Sequence, residues 1–233
     1  PDDVNVQYFD DVYKSTTNSS VLPTLQTGDY DGNGLDDVAV CMNPYAGHRT
    51  IVLFLSPFEA ESSFSIKKNM EIRYAVSGEK FSAPPSLVMA DINGDGRADL
   101  IWGQFDFDSG YAEVDIVLRK KNPTGVIDLD DQAPDCRIIG VSHVAAGDFD
   151  GDGISDLAMA KVGSAEGYVG LGRSGLFSGV IDLAMSNPFH RISLGGNLHF
   201  IMSGDFNGDK KIDFTFSSPG RVLPEDRWRE VDI

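Results

Sequence analysis

The stretch Gly147-Asp148-Phe149-Asp150-Gly151-Asp152-Gly153-Ile154-Ser155-Asp156-Leu157-Ala158-Met159 decides how this chain is read, because acidic residues alternate with glycine before an apolar run begins. Asp148, Asp150 and Asp152 fall at alternate positions, so a tightly turned backbone directs all three carboxylates inward, and Asp156 closes the cage from position nine. Hard divalent cations take such ligands. Calcium accepts roughly six to eight oxygens in a flexible shell, whereas magnesium keeps several waters in a strict octahedron, so a dense protein-oxygen loop favours calcium. The residues after Asp156 read as a strand.

The same loop recurs as Asp29-Tyr30-Asp31-Gly32-Asn33-Gly34-Leu35-Asp36-Asp37, as Asp91-Ile92-Asn93-Gly94-Asp95-Gly96-Arg97-Ala98-Asp99, and as Asp205-Phe206-Asn207-Gly208-Asp209-Lys210-Lys211-Ile212-Asp213. First aspartates are separated by 62 residues (91 minus 29), 57 (148 minus 91) and 57 (205 minus 148). That period exceeds those of most helical solenoids and lies near a four-stranded propeller blade. One such turn would be explained by the backbone preferences of Asp and Gly alone. Four copies that keep oxygen side chains at positions one, three, five and nine point further, since turn geometry by itself does not ask for an acid at position nine.

Short β-prone runs flank the loops. Val38 to Met42, Leu100 to Gly103, Leu157 to Ala160 and Phe214 to Phe216 follow them, and Ser86 to Ala90, Val144 to Ala146 and Phe200 to Met202 precede them. Two such runs around a Gly/Asp turn make a hairpin. Further strands are predicted at Thr50 to Leu55, Met70 to Val76, Tyr111 to Arg119, Tyr168 to Leu171 and Arg191 to Leu194, about four per repeat, with no long helical periodicity. The chain is therefore expected to be all-β, a β-propeller of four-stranded blades in a single domain over 1–233. The repeats fall at roughly 22–80, 84–140, 141–197 and 198–233. Residues 1–21 are candidates to complete the last blade through Val4 to Phe9, which would close a small ring. The alternative is a section of a larger propeller. A start at Pro1, with neither an initiator Met nor a signal segment, reads as a processed product or a fragment.

Composition excludes some partners. With 19 basic against 36 acidic residues the formal charge is -17, a poor match for nucleic acid, whose phosphates demand a Lys/Arg surface. No run approaches the length of a membrane-spanning helix. Hydrophobic residues at 41% suffice for a core. Cys41 and Cys136 permit one disulfide without demanding it.

The pattern Asp-x-[Asp/Asn]-x-[Asp/Asn]-Gly-x-x-Asp with a hydrophobic strand behind it resembles the FG-GAP/VCBS repeats of integrin-α-like β-propellers. The third repeat carries the likeness best, through Val144 to Met159 and then Tyr168-Val169-Gly170-Leu171-Gly172-Arg173-Ser174-Gly175-Leu176-Phe177. The resemblance implies that each loop joins the first two strands of a blade and binds calcium, with ligand surfaces on the opposite rim. Two departures stand out. Lys210 replaces the glycine found at Gly34, Gly96 and Gly153, a strained choice in a left-handed turn that also adds a positive charge. Position twelve holds Val40, Trp102, Met159 and Phe216, not the bidentate Glu of an EF-hand.

The expected ligands are thus Asp29, Asp31, Asn33 and Asp37; Asp91, Asn93, Asp95 and Asp99; Asp148, Asp150, Asp152 and Asp156; and Asp205, Asn207, Asp209 and Asp213. The position-seven backbone carbonyls of Leu35, Arg97, Ile154 and Lys211 would complete the cages. Up to four calcium ions would bring eight positive charges and move the net charge from -17 to -9. Calcium would relieve the repulsion among clustered aspartates and stiffen the hairpins.

Other motifs carry less. Gly170-Leu171-Gly172-Arg173-Ser174-Gly175 matches the dinucleotide fingerprint only formally, because no helix pattern follows it. The same stretch lacks the glycine that a nucleophile elbow needs two residues after the serine. His48, His143, His190 and His199 show no metal-ligand spacing, and no catalytic residue is singled out. The loops between second and third strands, Asn43 to Arg49, Gln104 to Gly110, Val162 to Gly167 and Ser217 to Arg221, should emerge away from the calcium loops. There Tyr45, His48, Phe105, Phe107 and Tyr111 offer aromatic surface for a partner, although Phe105 and Phe107 read more naturally as packing between blades. Asn18-Ser19-Ser20 is a glycosylation sequon only in a chain secreted by a eukaryote.

The expected protein is a calcium-binding propeller module, not an enzyme, secreted or surface-exposed, serving as an adhesion or protein-interaction scaffold. The alternative is a carbohydrate-binding, lectin-like propeller or the accessory module of a secreted enzyme or toxin. Either would meet its protein or glycan ligand on the rim opposite the calcium loops.

Overall fold

The structure, a computed structural model, describes residues 24–217 except 46–47, 58–59, 63–64, 67–69, 76–85, 107–108, 120–124, 130, 195–197 and 199. Val4 to Phe9, the Asn18 sequon and Phe107 lie outside the described residues. The described residues form strands and no helix. No helix among them is long and apolar enough to cross a membrane.

The first sheet is a meander of β1 (Thr24–Gly28), β2 (Asp37–Tyr45), β3 (His48–Phe54) and β6 (Met70–Ala75). A small hairpin, β4 (Ala60–Ser62) with β5 (Ser65–Ile66), stands between β3 and β6 in the chain. The second sheet repeats the meander with β7 (Ser86–Ala90), β8 (Asp99–Phe105), β9 (Ala112–Val117) and β11 (Cys136–Ile139). The third uses β12 (His143–Gly147), β13 (Asp156–Ala160), β14 (Glu166–Gly170) and β16 (His190–Ser193). The hairpin of β17 (Phe200–Gly204) and β18 (Asp213–Ser217) begins a fourth. Every acidic loop joins the first two strands of its sheet.

The first two sheets hold five strands, not the four expected of each repeat. The additional strands are β10 (Gly125–Asp128), parallel to β6, and β15 (Gly179–Asp182), parallel to β11. Each lies in the chain between the third and fourth strands of its own sheet, yet joins the outer edge of the sheet before. Edge strands present unpaired N–H and C=O groups, and this loan covers two of them.

Burial explains why the strands do not simply alternate. Along β8 residues Asp99 to Gln104 are all buried, and β9 and β13 are buried throughout. A strand buried on both faces reads as a continuous apolar run, as in Leu100-Ile101-Trp102. One face of the second sheet presents Leu87, Met89, Leu100, Trp102 and Val117 to Ala39, Cys41, Ile51, Leu53 and Ile72 of the first. The opposite face presents Ile101, Val114, Ile116 and Ile138 to Val144, Leu157 and Met159 of the third. Each fully buried Leu or Ile there contributes roughly 2 kcal/mol. First strands line up side by side, β1 by β7, β7 by β12 and β12 by β17. The sheets are therefore stacked face to face in chain order.

Cys41 and Cys136 are both buried thiols in separate clusters, so they form no disulfide. Burial pushes the Cys136 thiol up to about 12, which keeps it protonated.

Candidate metal centre

One hydrogen-bond scheme builds all four loops. The position-one carboxylate accepts the amides of positions four and six: Asp29 from Gly32 and Gly34 (2.7 and 2.8 Å), Asp91 from Gly94 and Gly96 (both 2.7 Å), Asp148 from Gly151 and Gly153 (2.7 and 2.9 Å), and Asp205 from Gly208 and Lys210 (2.6 and 3.0 Å). The position-three side chain accepts the position-five amide: Asp31 from Asn33, Asn93 from Asp95, Asp150 from Asp152 and Asn207 from Asp209. These are Asx turns, in which a short polar side chain caps its own backbone. Position six requires a positive φ, 85° at Gly34, 80° at Gly96 and 90° at Gly153. Lys210 takes the same conformation at 74°, the only non-glycine with positive φ among the described residues.

Position nine has a structural use that the sequence did not disclose. Asp37, Asp99 and Asp156 are fully buried. In each, Oδ2 accepts the position-two amide, from Tyr30 (2.8 Å), Ile92 (3.3 Å) and Phe149 (2.8 Å), and Phe206 donates likewise to Asp213 (3.0 Å). Oδ1 accepts an amide from just beyond the third strand, Ser56 (2.7 Å), Arg119 (2.9 Å) and Gly172 (2.7 Å). The acid at position nine thus pins the loop to the third strand, a reason for its recurrence that needs no ion. Burial raises all three carboxyls above the usual range, that of Asp99 to about 7, with the amide donors opposing the shift.

The loops also bring acids together. Asp29, Asp31 and Asp37 place one carboxylate oxygen each within 4.8 Å of one another, and Asp148, Asp150 and Asp156 do the same. A carboxylate offers about four lone-pair sites, so oxygens already holding an amide retain capacity for a cation. These two groups could hold a metal ion. Asp152 is exposed, stands outside the second group and accepts the Ile154 amide (2.8 Å); Asn33 is exposed and donates through Nδ2 to the Ser56 carbonyl (2.7 Å). Asp91, Asn93, Asp95 and Asp99 keep the hydrogen-bond scheme without forming an all-acid triad, as do Asp205, Asn207, Asp209 and Asp213.

Neighbouring loops are fastened together. The Ala98 amide donates to the Asp29 carbonyl (2.8 Å) and the Ser155 amide to the Asp91 carbonyl (2.9 Å). The position-seven side chains of Arg97 and Ile154 lie against Gly32 and Gly94 of the loop before, while Leu35 and Lys211 are exposed. Arg119 reaches back from behind β9 to donate to the Asp31 carbonyl (2.6 Å).

A second polar cluster escaped the sequence reading. Arg137 on β11 binds both oxygens of Asp115 on β9 (2.7 and 2.9 Å) and approaches Glu113 (3.1 Å). Glu113 also accepts Gln104 Nε2 and the Tyr111 hydroxyl (2.8 Å). Burial raises both carboxyls while Arg137 opposes it, and burial beside Glu113 pushes the Tyr111 phenol to about 12. The signal was the alternation Tyr111-x-Glu113-x-Asp115, which puts three polar groups on one face of a strand. Of the aromatic candidates, Tyr111 is 42% exposed. Phe105 is half-buried under the Lys161 ammonium, 5.9 Å from the ring centre. Gly170 to Gly175 makes a turn and no helix, so the nucleotide reading has no structural context.

Residues 91–159 match the FG-GAP-like repeat. That span opens on the first aspartate of the second loop and ends in β13, so the FG-GAP-like region contains the second and third acidic loops entire. No curated protein matches the chain. Among solved structures it is similar to the rhamnogalacturonan lyase YesW, at 14% identity with a TM-score of 0.46, over 86% of this chain and 41% of that one. The chain therefore spans less than half the length of that protein.

Proposed function

We propose that this chain is a calcium-binding β-propeller module, integrin-like in its repeats, that acts outside the cell as a scaffold for adhesion or protein interaction. The observation that carries the reading is the convergence of Asp148, Asp150 and Asp156, matched by Asp29, Asp31 and Asp37. Oxygen-only ligands on a flexible loop suit calcium over magnesium. Extracellular calcium fills even weak sites of this kind, which makes a secreted or surface setting the natural one. The stacking of first strands beside one another supports a propeller arrangement. The ions act as structural rivets at one end of the sheets. The ligand, a protein, meets the loops at the other end. The acids with raised pKa are held by backbone amides or by Arg137, which supports a binding module over an enzyme.

Calorimetric titration with calcium, alongside thermal melting in calcium and in EDTA, tests the proposal. Asp150→Asn should weaken the third-loop site about tenfold and Asp152→Asn much less, because only Asp150 joins the triad. Identical melting in calcium and EDTA, with no heat of binding, would overturn it. One observation favours a second reading, a carbohydrate-binding propeller: the exposed Tyr111 ring carries a hydroxyl tied to Glu113, a pairing suited to stacking on a sugar. Clean binding to one sugar on a glycan array, abolished in Tyr111→Ala, would select that reading.

A further inference from the structure

An identical sequence performs the same task twice. Gly125-Val126-Ile127-Asp128 is β10 and Gly179-Val180-Ile181-Asp182 is β15. Each pairs in parallel with the last meander strand of the preceding sheet, in one register: Gly125 and Gly179 face Met70 and Cys136, Val126 and Val180 face Glu71 and Arg137, and Ile127 and Ile181 face Ile72 and Ile138. Leu129 and Leu183 follow, and with the two isoleucines they pack onto the clusters between the sheets. Both strands end in the same turn, in which the Asp128 carbonyl accepts the Asp131 and Gln132 amides and the Asp182 carbonyl those of Met185 and Ser186. The valines point outward, 52% and 69% exposed.

Among the described residues, the third sheet has the acceptor without the donor. In β16 the residues are His190-Arg191-Ile192-Ser193, with isoleucine at the third position as in Met70-Glu71-Ile72-Arg73 and Cys136-Arg137-Ile138-Ile139. β16 pairs with β14 on one side and has no partner on the other among the described residues. Where a donor is present, Ile72 and Ile138 are fully buried; Ile192 is half-buried and His190, Arg191 and Ser193 are exposed. Among the described residues, the cluster behind Ile192, made by Ala160, Leu194, Leu198, Ile201 and Phe216, contains no counterpart of the Ile/Leu pair that the other two receive.

We infer that the outer edge of β16 is a docking site for an extended Gly-Val-Ile-Asp-Leu segment, running parallel to β16 with its isoleucine beside Ile192. Both copies of that sequence in this chain are already paired, so the occupant is a further strand of the same chemistry, of the kind that a following repeat of this type would carry. Main-chain hydrogen bonds supply the attachment, and the Ile and Leu side chains supply its selectivity, as in other cases of strand addition. The inference rests on the pairing of β10 and β15 and is independent of calcium.

The test adds a peptide with the sequence of residues 176–186 to the isotopically labelled protein and follows amide hydrogen exchange. The expected result is saturable binding that slows the outward-facing amides of β16 about tenfold, with no such effect from a peptide carrying Ile181→Lys. Register is checked with the protein variant Arg191→Cys. Under air oxidation, a peptide with Val180→Cys should form a mixed disulfide with it, while one with Ile181→Cys should not, since Val180 is the residue that faces Arg137 in the second sheet. Unchanged exchange at millimolar peptide, equal trapping of both cysteine peptides, or a dimer of this chain that protects β16 without peptide would each overturn the inference.

Discussion

The Gly172 amide donates to Oδ1 of Asp156 across 2.7 Å, joining the turn after β14 to the acid that closes the third loop. A Cβ on Gly172 would lie 2.2 Å from the Ser155 carbonyl oxygen, so only glycine lets this amide come so near. Asp156 also receives the Phe149 and Asp150 amides (2.8 and 3.3 Å). Its removal strands three donors at once. Asp156→Ala should cost about 3 kcal/mol in urea unfolding even in EDTA, and Asp156→Asn, which keeps one acceptor oxygen, distinctly less. A loss visible only in calcium would contradict the structural role of position nine.

Asp99 gives the metal-free protein a pH dependence of fixed sign. Its carboxyl moves from 3.8 to about 7 on folding because burial disfavours the charged form. Between those values the folded state holds a proton that the unfolded state has released. The Asp99 contribution is therefore complete at acid pH and is lost as pH rises toward 7. In EDTA the urea midpoint of wild type should fall across that interval relative to Asp99→Asn. A midpoint that rises in step with the variant would show that this group does not set the slope.

Lys210 sits at φ 74° where the other loops use glycine. Left-handed backbone costs an L-residue roughly 1–2 kcal/mol, part of which glycine returns through its greater freedom in the unfolded chain. Lys210→Gly should stabilise by about 0.5–1 kcal/mol in EDTA, with a further gain in calcium if the fourth loop takes an ion once the ammonium is gone. Thermal melting of both proteins in both buffers reads the two effects separately.

Gly103 on β8 is required for a different reason, since its φ is not positive. A Cβ there would stand 1.9 Å from the Ser142 carbonyl oxygen of the connection entering the third sheet. That obstacle is backbone and cannot rotate away. Gly103→Ala should cost more than about 2 kcal/mol, against roughly 1 kcal/mol for Gly151→Ala, which is strained in φ but open in space. Equilibrium unfolding of the pair ranks the two.

The recurring acidic loop made the all-β architecture and the position of its hairpins legible, and β7 over Ser86–Ala90 coincides with the run seen in sequence. Loop chemistry is local, so spacing alone revealed it. What stayed hidden depends on distant partners. The second use of Asp37, Asp99 and Asp156, as anchors for the third strand, was hidden because the amides of Ser56, Arg119 and Gly172 lie 16 to 20 residues away. Asp115 and Arg137 are 22 residues apart, and only the pairing of β9 with β11 joins them. The verbatim repetition of Gly-Val-Ile-Asp was in plain view, but a four-residue run with an exposed valine does not announce that it will leave its own sheet.

That departure changes what counts as a cooperative unit. In a solenoid each repeat touches its neighbours only across faces, and stability is a sum over repeats. Here a division of the chain between residues 140 and 141, where the sequence period places it, would cut through a sheet, because β15 completes the edge begun by β11. The second and third repeats each finish the one before. Damage therefore travels toward the N-terminus: unravelling the segment around Gly179 to Asp182 would uncover β11 and weaken a sheet whose other strands are intact, so the array melts as overlapping shingles, not as separate tiles.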